Sequence, residues 1–164
     1  MTEETALAYD IAIEELPTRR MASVTLHATQ TQLSGLIGRA FGTIIGALQA
    51  TGTKPAGPPL VVFHDMIDDT TPGDVEVGIP VSMGTSGTSL GHDVAIHELA
   101  AGPAATTMHR GPYEELGSAH QALADWIHDH GHEVTGPPRE IYLNDPNQVE
   151  PADLQTRIEW PVAG

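Results

Sequence analysis

The sequence predicts an α+β fold of duplicated β-β-α-β-β halves related by a pseudo-two-fold axis, with antiparallel sheets, two main helices and a ligand cleft between the halves. Three observations carry this expectation. Short motifs recur in the same order about 80 residues apart. Apolar and polar residues alternate with period two on both sides of each helical segment, as half-buried strands do. Each half also contains one segment with an apolar stripe at helical spacing. The recurrence is the strongest of the three. Asp10-Ile-Ala-Ile-Glu-Glu-Leu16 returns as Asp93-Val-Ala-Ile-His-Glu-Leu99, and Thr25-Leu-His27 as Thr107-Met-His109. Gly57-Pro-Pro59 ahead of Phe63 returns as Gly136-Pro-Pro138 ahead of Tyr142, and Pro80-Val81 as Pro161-Val162. We read residues 1–164 as a single domain with halves at about 8–81 and 92–162, joined by the Ser/Gly/Thr-rich stretch 82–91.

The elements follow in order. Residues 9–16 and 93–99 alternate, with Ile11 and Ile13, or Val94 and Ile96, on one face. Turns at Pro17-Thr18-Arg19 and Ala101-Gly102-Pro103 lead into second strands at 21–27 and 104–109. The first helix opens at Thr29, whose hydroxyl can cap the first turn while Gln32 reaches back. Leu33, Ile37, Phe41, Ile44 and Leu48 form its apolar stripe, and Gly52 ends it. Pro112 is expected at the first position of the second helix, where its missing N–H is harmless. Leu116, Ala119, Leu123, Trp126 and Ile127 give that helix its buried face, and Gly131 stops it. Closing strands are expected at 60–65 with 74–79, and at 139–144 with 154–160. One half alone offers a thin core, so the two sheets should pair.

Composition excludes several functions. With 7 basic and 22 acidic residues the formal charge is −15, and the basic residues are one lysine and scattered arginines. A duplex-binding protein needs clustered cations to neutralise phosphates, so no nucleic-acid partner is expected. The absence of cysteine removes disulfides, thiolate metal sites and cysteine nucleophiles. The acidic first ten residues do not read as a leader. Residues 33–50 are apolar but interrupted by Gly35, Gly38, Gly42, Gly46 and Arg39. They read as a glycine-rich helix packed closely on a sheet, not as a membrane span. The expectation is a cytoplasmic protein with no membrane partner.

The most specific segments are His109-Arg-Gly-Pro-Tyr113 with Glu114, then Gly136-Pro-Pro-Arg-Glu-Ile-Tyr142-Leu-Asn-Asp-Pro146, and the terminal Ile158-Glu-Trp-Pro-Val162. Together they resemble the GyrI-like, or effector-binding, domain family across nearly the whole chain. The resemblance implies two related SHS2-type halves around an aromatic pocket with a buried glutamate that faces lipophilic cations. In that family the domain occurs fused to helix-turn-helix regulators of multidrug and stress responses and also freestanding, and this chain is expected to be a freestanding member without a DNA-binding module. The first half departs from the pattern, with Ala28-Thr-Gln30 where the second has Arg110-Gly-Pro-Tyr113, and Val61 where the second has Glu140. The charged, aromatic part of the site is therefore expected from the second half. Glu140 and Tyr142 lie two apart on a strand and face one side. A carboxylate among rings is poorly solvated, which a delocalised cation relieves.

The candidate ligand-binding residues are Tyr113, Glu140, Tyr142, Trp160 and Phe63. For each a purely structural role is the competing reading: Glu140 in water, Tyr113 plugging the sheet, Trp160 packing an edge, Phe63 in the core. Trp126 falls on the core stripe. No cofactor, metal site or catalytic residue is expected. His128, His130 and His132 straddle Gly131, and His97-Glu98 lacks the second histidine of a zinc-protease motif, having Ala101 there. Gly84, Gly87 and Gly91 lack the lysine of a phosphate loop. His27 and His109 read as structural residues at strand ends, and Asp68-Asp69 as solvated loop charges. The leading expectation is promiscuous binding of lipophilic, often cationic, small molecules. The alternatives are a hydrolase using Glu140 as general base, assisted by Tyr113 or Tyr142, and a gyrase-inhibitor-like protein with an unknown protein partner.

Overall fold

In the computed structural model residues 9–87, 89–91 and 93–164 are described. The leaderless reading of the first ten residues, and the start of the first half near residue 8, fall mainly on residues 1–8, outside the described residues. The elements, in chain order, are β1 (Ala12–Leu16), β2 (Arg19–Ala28), α1 (Gln30–Thr51), β3 (Leu60–Phe63), β4 (Gly73–Val81) and β5 (Ser89–Gly91), followed by β6 (Val94–Leu99), β7 (Gly102–Arg110), α2 (Leu116–Asp129), β8 (Arg139–Tyr142) and β9 (Gln155–Pro161). Single 3₁₀ turns occur at Tyr113–Glu115 and Pro151–Asp153. The fold is α+β with antiparallel strands and two main helices.

The chain divides into two compact units. The contiguous unit is Pro17–Ala101, and the composite unit joins the N-terminal stretch through Leu16 to Gly102–Gly164. The strand order is β3-β4-β2-β6-β5 in the contiguous unit and β1-β7-β9-β8 in the composite one. Although only Pro17 and Thr18 separate β1 from β2, the two strands part company. β1 pairs with β7, from Ala12 opposite Thr106 to Leu16 opposite Gly102. β2 pairs with β4 and with β6. Period-two alternation says that a segment is a strand, and leaves its neighbour open.

In the contiguous unit α1 packs on β2 and β4. It starts where the Thr29 backbone N–H donates to Gln32 Oε1 at 2.9 Å. It ends at Gly52, whose φ of 68° lies in the left-handed region and suits glycine. The buried residues of α1 are Leu33, Ala40, Ile44, Ala47 and Leu48, with Ile37 and Phe41 half-buried. The close-packing role expected for the helix glycines is overturned. Gly35, Gly38, Gly42 and Gly46 are exposed, and a Cβ at any of them meets nothing within 4 Å. The larger apolar residues take the sheet side because they bury more surface, which leaves the glycines on the outer side. By length and composition α1 also qualifies as a membrane-crossing helix, so composition alone does not rule out a span.

In the composite unit α2 lays Leu116, Ala119, Leu123 and Ile127 on Ala105, Ile158 and Val162 of the sheet. Pro112 does not open the helix as expected. It precedes the 3₁₀ turn Tyr113–Glu115, and α2 starts only at Leu116. The stretch 82–91 is likewise not all connection, since Ser89–Gly91 pairs with β6.

Candidate functional site

The register of the composite sheet decides which side chains meet α2. Ile158 belongs to the cluster under α2, and Glu140 is its partner across β8 and β9. Side chains alternate between faces along a strand, so Glu140 and Tyr142 share the α2 face. Trp160 lies opposite Ala105, another member of the cluster, and so joins them. Arg139, Ile141 and Glu159 point to the other face.

Glu140 is 6% exposed. Burying an ionised carboxylate without partners is prohibitive, and both oxygens here are engaged. Tyr142 donates its hydroxyl to Oε1 at 2.8 Å. His120, on α2, lies 2.7 Å from Oε2 through Nε2. Trp160 reaches the same imidazole, its indole Nε1 being 3.0 Å from His120 Nδ1. An indole N–H can only donate, so Nδ1 accepts and carries no proton. The ring proton therefore sits on Nε2 and is donated to Glu140. The result is a directed chain, Trp160 to His120 to Glu140, closed from the other side by Tyr142. Tyr113 packs edge-on against Tyr142, with centroids 5.5 Å apart and planes at 62°.

Burial, followed by the charge of Glu140 and its hydrogen bond, holds the Tyr142 phenol well above its usual range. Burial, with Asp145 and Glu140 behind it, raises Tyr113 as well. Both phenols therefore keep their protons at neutral pH.

Four of the five candidate residues thus stand in the composite unit, linked through Glu140 or Tyr142. Phe63 belongs to the contiguous unit, half-buried at the end of β3 opposite Val75. Trp126 is half-buried against the cluster under α2, with His130 stacked on it at 4.1 Å and His132 at 5.6 Å. His109 is buried and bonded to the Tyr9 hydroxyl at 3.0 Å through Nδ1, whereas His27 is exposed and pairs with Asp74 at 2.9 Å. Asp68 and Asp69 are exposed but engaged. Asp68 accepts from the Thr70 and Thr71 backbones, and Asp69 accepts from the Thr31 hydroxyl at 2.7 Å.

Sequence reasoning passed over two groups. The first is His120. Its spacing from Leu116, Leu123 and Ile127 puts it on the apolar stripe of α2, and an ionisable residue there was the signal. The second is Glu76 on β4, 4% exposed. His64 Nε2 lies 2.9 Å from its Oε1, and His97 Nε2 contacts its Oε2. Burial pushes the Glu76 carboxyl up, but hydrogen bonds from His97, Ser23 and His64 outweigh it and hold it below the usual range.

A surface recess of about 320 Å³ on the composite unit is lined by Ile11, Glu14, Thr106, Met108 and Arg157 among others, away from Glu140. Its floor is an ion-pair relay. Arg157 binds Glu14 and Glu159 at 2.8 Å each, so its charge is already matched.

Residues 9–163 match the GyrI-like small molecule binding domain, and the chain belongs to that family. Among solved structures it is similar to EcmrR in a DNA complex, at 25% identity and a TM-score of 0.82. That alignment covers 94% of this chain and 57% of EcmrR, so the chain spans a little over half the length of that relative. It is similar to the isolated EcmrR C-terminal domain at 24% identity and TM-score 0.83, covering 94% of this chain and 98% of that one. The structure of SAV2435 bound to tetraphenylphosphonium shares the fold at 16% identity and TM-score 0.67, with 94% of both chains covered. Among curated proteins none matches the chain.

Proposed function

We propose that this chain binds lipophilic, often cationic, small molecules at Glu140, with Tyr142, Tyr113 and Trp160 as the surrounding rings. One observation carries the reading. A buried carboxylate is held by donors that are themselves neutral, so its negative charge is oriented but not cancelled. A delocalised cation placed against it recovers Coulomb energy lost on burial, and each ring face adds roughly 0.5–2 kcal/mol of cation–π attraction. Tyr113, on its 3₁₀ turn and 36% exposed, is the outermost ring and the wall that yields to admit a ligand. SAV2435, which shares the fold, is bound to tetraphenylphosphonium, and the family is one of small-molecule binders. Shape selectivity from one charge and a few rings is low, so several cations should compete at modest affinity.

The hydrolase reading is less well supported. Glu140 acting as a base would first have to release Tyr142 or His120 from an oxygen.

Titrating tetraphenylphosphonium into the wild-type protein and into Glu140→Gln by calorimetry tests the proposal. We expect saturable binding in the first and a loss of about tenfold or more in the second, with folding intact by circular dichroism. Equal binding by both proteins, or none by either, refutes it.

A further inference from the structure

The hydrogen-bond directions around His120 carry a consequence for how the proposed site is regulated, and the inference rests on that reading of Glu140. His120 is half-buried between a carboxylate that accepts from Nε2 and an indole that donates to Nδ1. This arrangement exists only for the neutral ring. A second proton on Nδ1 places two donors, the imidazolium N–H and the indole N–H, head to head. Trp160 must then swing away or lose its acceptor. The same proton changes the electrostatics, because the Glu140 and His120 pair passes from a net charge of −1 to zero.

Among the described residues, Asp145 adds a second negative charge beside Tyr113, and the arginines of β8 and β9 are paired with carboxylates. From β8, His120 faces Glu140 and Tyr142, and the phenol of Tyr142 keeps its proton at neutral pH and below. From the 3₁₀ turn, Tyr113 touches Tyr142. β7 contributes His109, tied to Tyr9. β9 contributes Trp160 on this face, while Arg157 pairs with Glu14 and Glu159. On α2 itself Gln121 is bonded to Asp125, on the exposed side.

We propose that His120 is the positioning residue that sets the charge of the site, so that cations are held when its Nδ1 is bare and released when Nδ1 takes up a proton. The proton comes from solvent, and the Trp160 N–H loses its acceptor.

Tetraphenylphosphonium is charged at every pH, so any pH dependence of its binding belongs to the protein. For the wild type we expect affinity to fall at least about tenfold between pH 8 and pH 5.5, an interval above the ordinary carboxylate range. In His120→Gln the side-chain carbonyl can accept from Trp160 and the amide can donate to Glu140, with nothing to titrate. We expect a flat profile, read relative to the variant's own affinity at pH 8. A second readout needs no variant. The ¹⁵N–¹H resonance of the Trp160 indole, assigned with Trp126→Phe, should shift with the same midpoint as the affinity. A flat wild-type profile, an unchanged slope in His120→Gln, or an indole resonance that ignores pH overturns the inference and leaves the ligand reading standing. Absence of binding at every pH refutes both.

Discussion

Glu140 in the composite unit and Glu76 in the contiguous one are both buried with both oxygens hydrogen-bonded, yet their donors differ. Glu140 receives a phenol and an imidazole whose other nitrogen accepts from an indole, and rings crowd its surroundings. Glu76 receives two imidazoles that are 40% and 43% exposed, together with Ser23. The first carboxylate is held by one phenol and one imidazole whose far nitrogen is occupied by an indole N–H, the second by two solvent-facing imidazoles and a hydroxyl. A buried carboxylate alone therefore does not mark a ligand site. The donors around it and the rings beside it are what differ.

The contrast is sharpest in paired substitutions. Glu140→Gln should lower cation affinity by about tenfold or more while Glu76→Gln leaves it unchanged, and calorimetry on the two variants checks this. If both lose binding equally, the distinction between the centres fails. For stability the order reverses. Glu76→Ala strips three donors of a buried acceptor and should cost about 2–3 kcal/mol in urea unfolding, a magnitude typical of breaking a buried polar network.

The acid limb of stability separates the centres further. The Glu76 carboxyl is held below its unfolded value, so its contribution is fully present above the usual carboxylate range and is lost as pH falls through the depressed folded value. The wild type should lose more stability than Glu76→Gln between pH 5.5 and pH 3, measured as the difference in unfolding midpoints. An identical loss in the two proteins would show that Glu76 carries no such linkage.

The smallest effect concerns the helices. Each glycine inside a helix costs about 0.5–1 kcal/mol against alanine, and Gly42 has open space around its missing Cβ. Gly42→Ala should raise stability by that amount without altering ligand affinity. Destabilisation would mean that the outer side of α1 is covered.

Much of the fold was legible because both periodicities were clean. The two helices appeared with their stripes, and every main strand appeared within a few residues of its observed bounds. The exchange of β1 and β6 was not legible, because alternation in Ile11 to Leu16 fixes the faces of a strand but not its neighbour. The glycines of α1 misled because their three- and four-residue spacing matches either side of a helix. At the site, Glu140 and Tyr142 were legible from spacing on a strand, and Trp160 from the resemblance. Glu76 was hidden between Val75 and Val77, where alternation reads a glutamate as outward-facing. Both faces of that strand are in fact buried. His120 was hidden because one histidine in a helix has no partner visible in the sequence.

The parting of β1 from β2 bears on the order in which the chain assembles. Ala12 waits for Thr106, a pairing that spans more than half the polypeptide, whereas the β2–β4, β2–β6 and β3–β4 pairs all form within the uninterrupted segment Pro17–Ala101. Long-range closure is slow, and a ribosome releases the N-terminal part first. The contiguous unit can therefore mature early, while the unit carrying Glu140 takes shape only after β9, the last strand, has emerged.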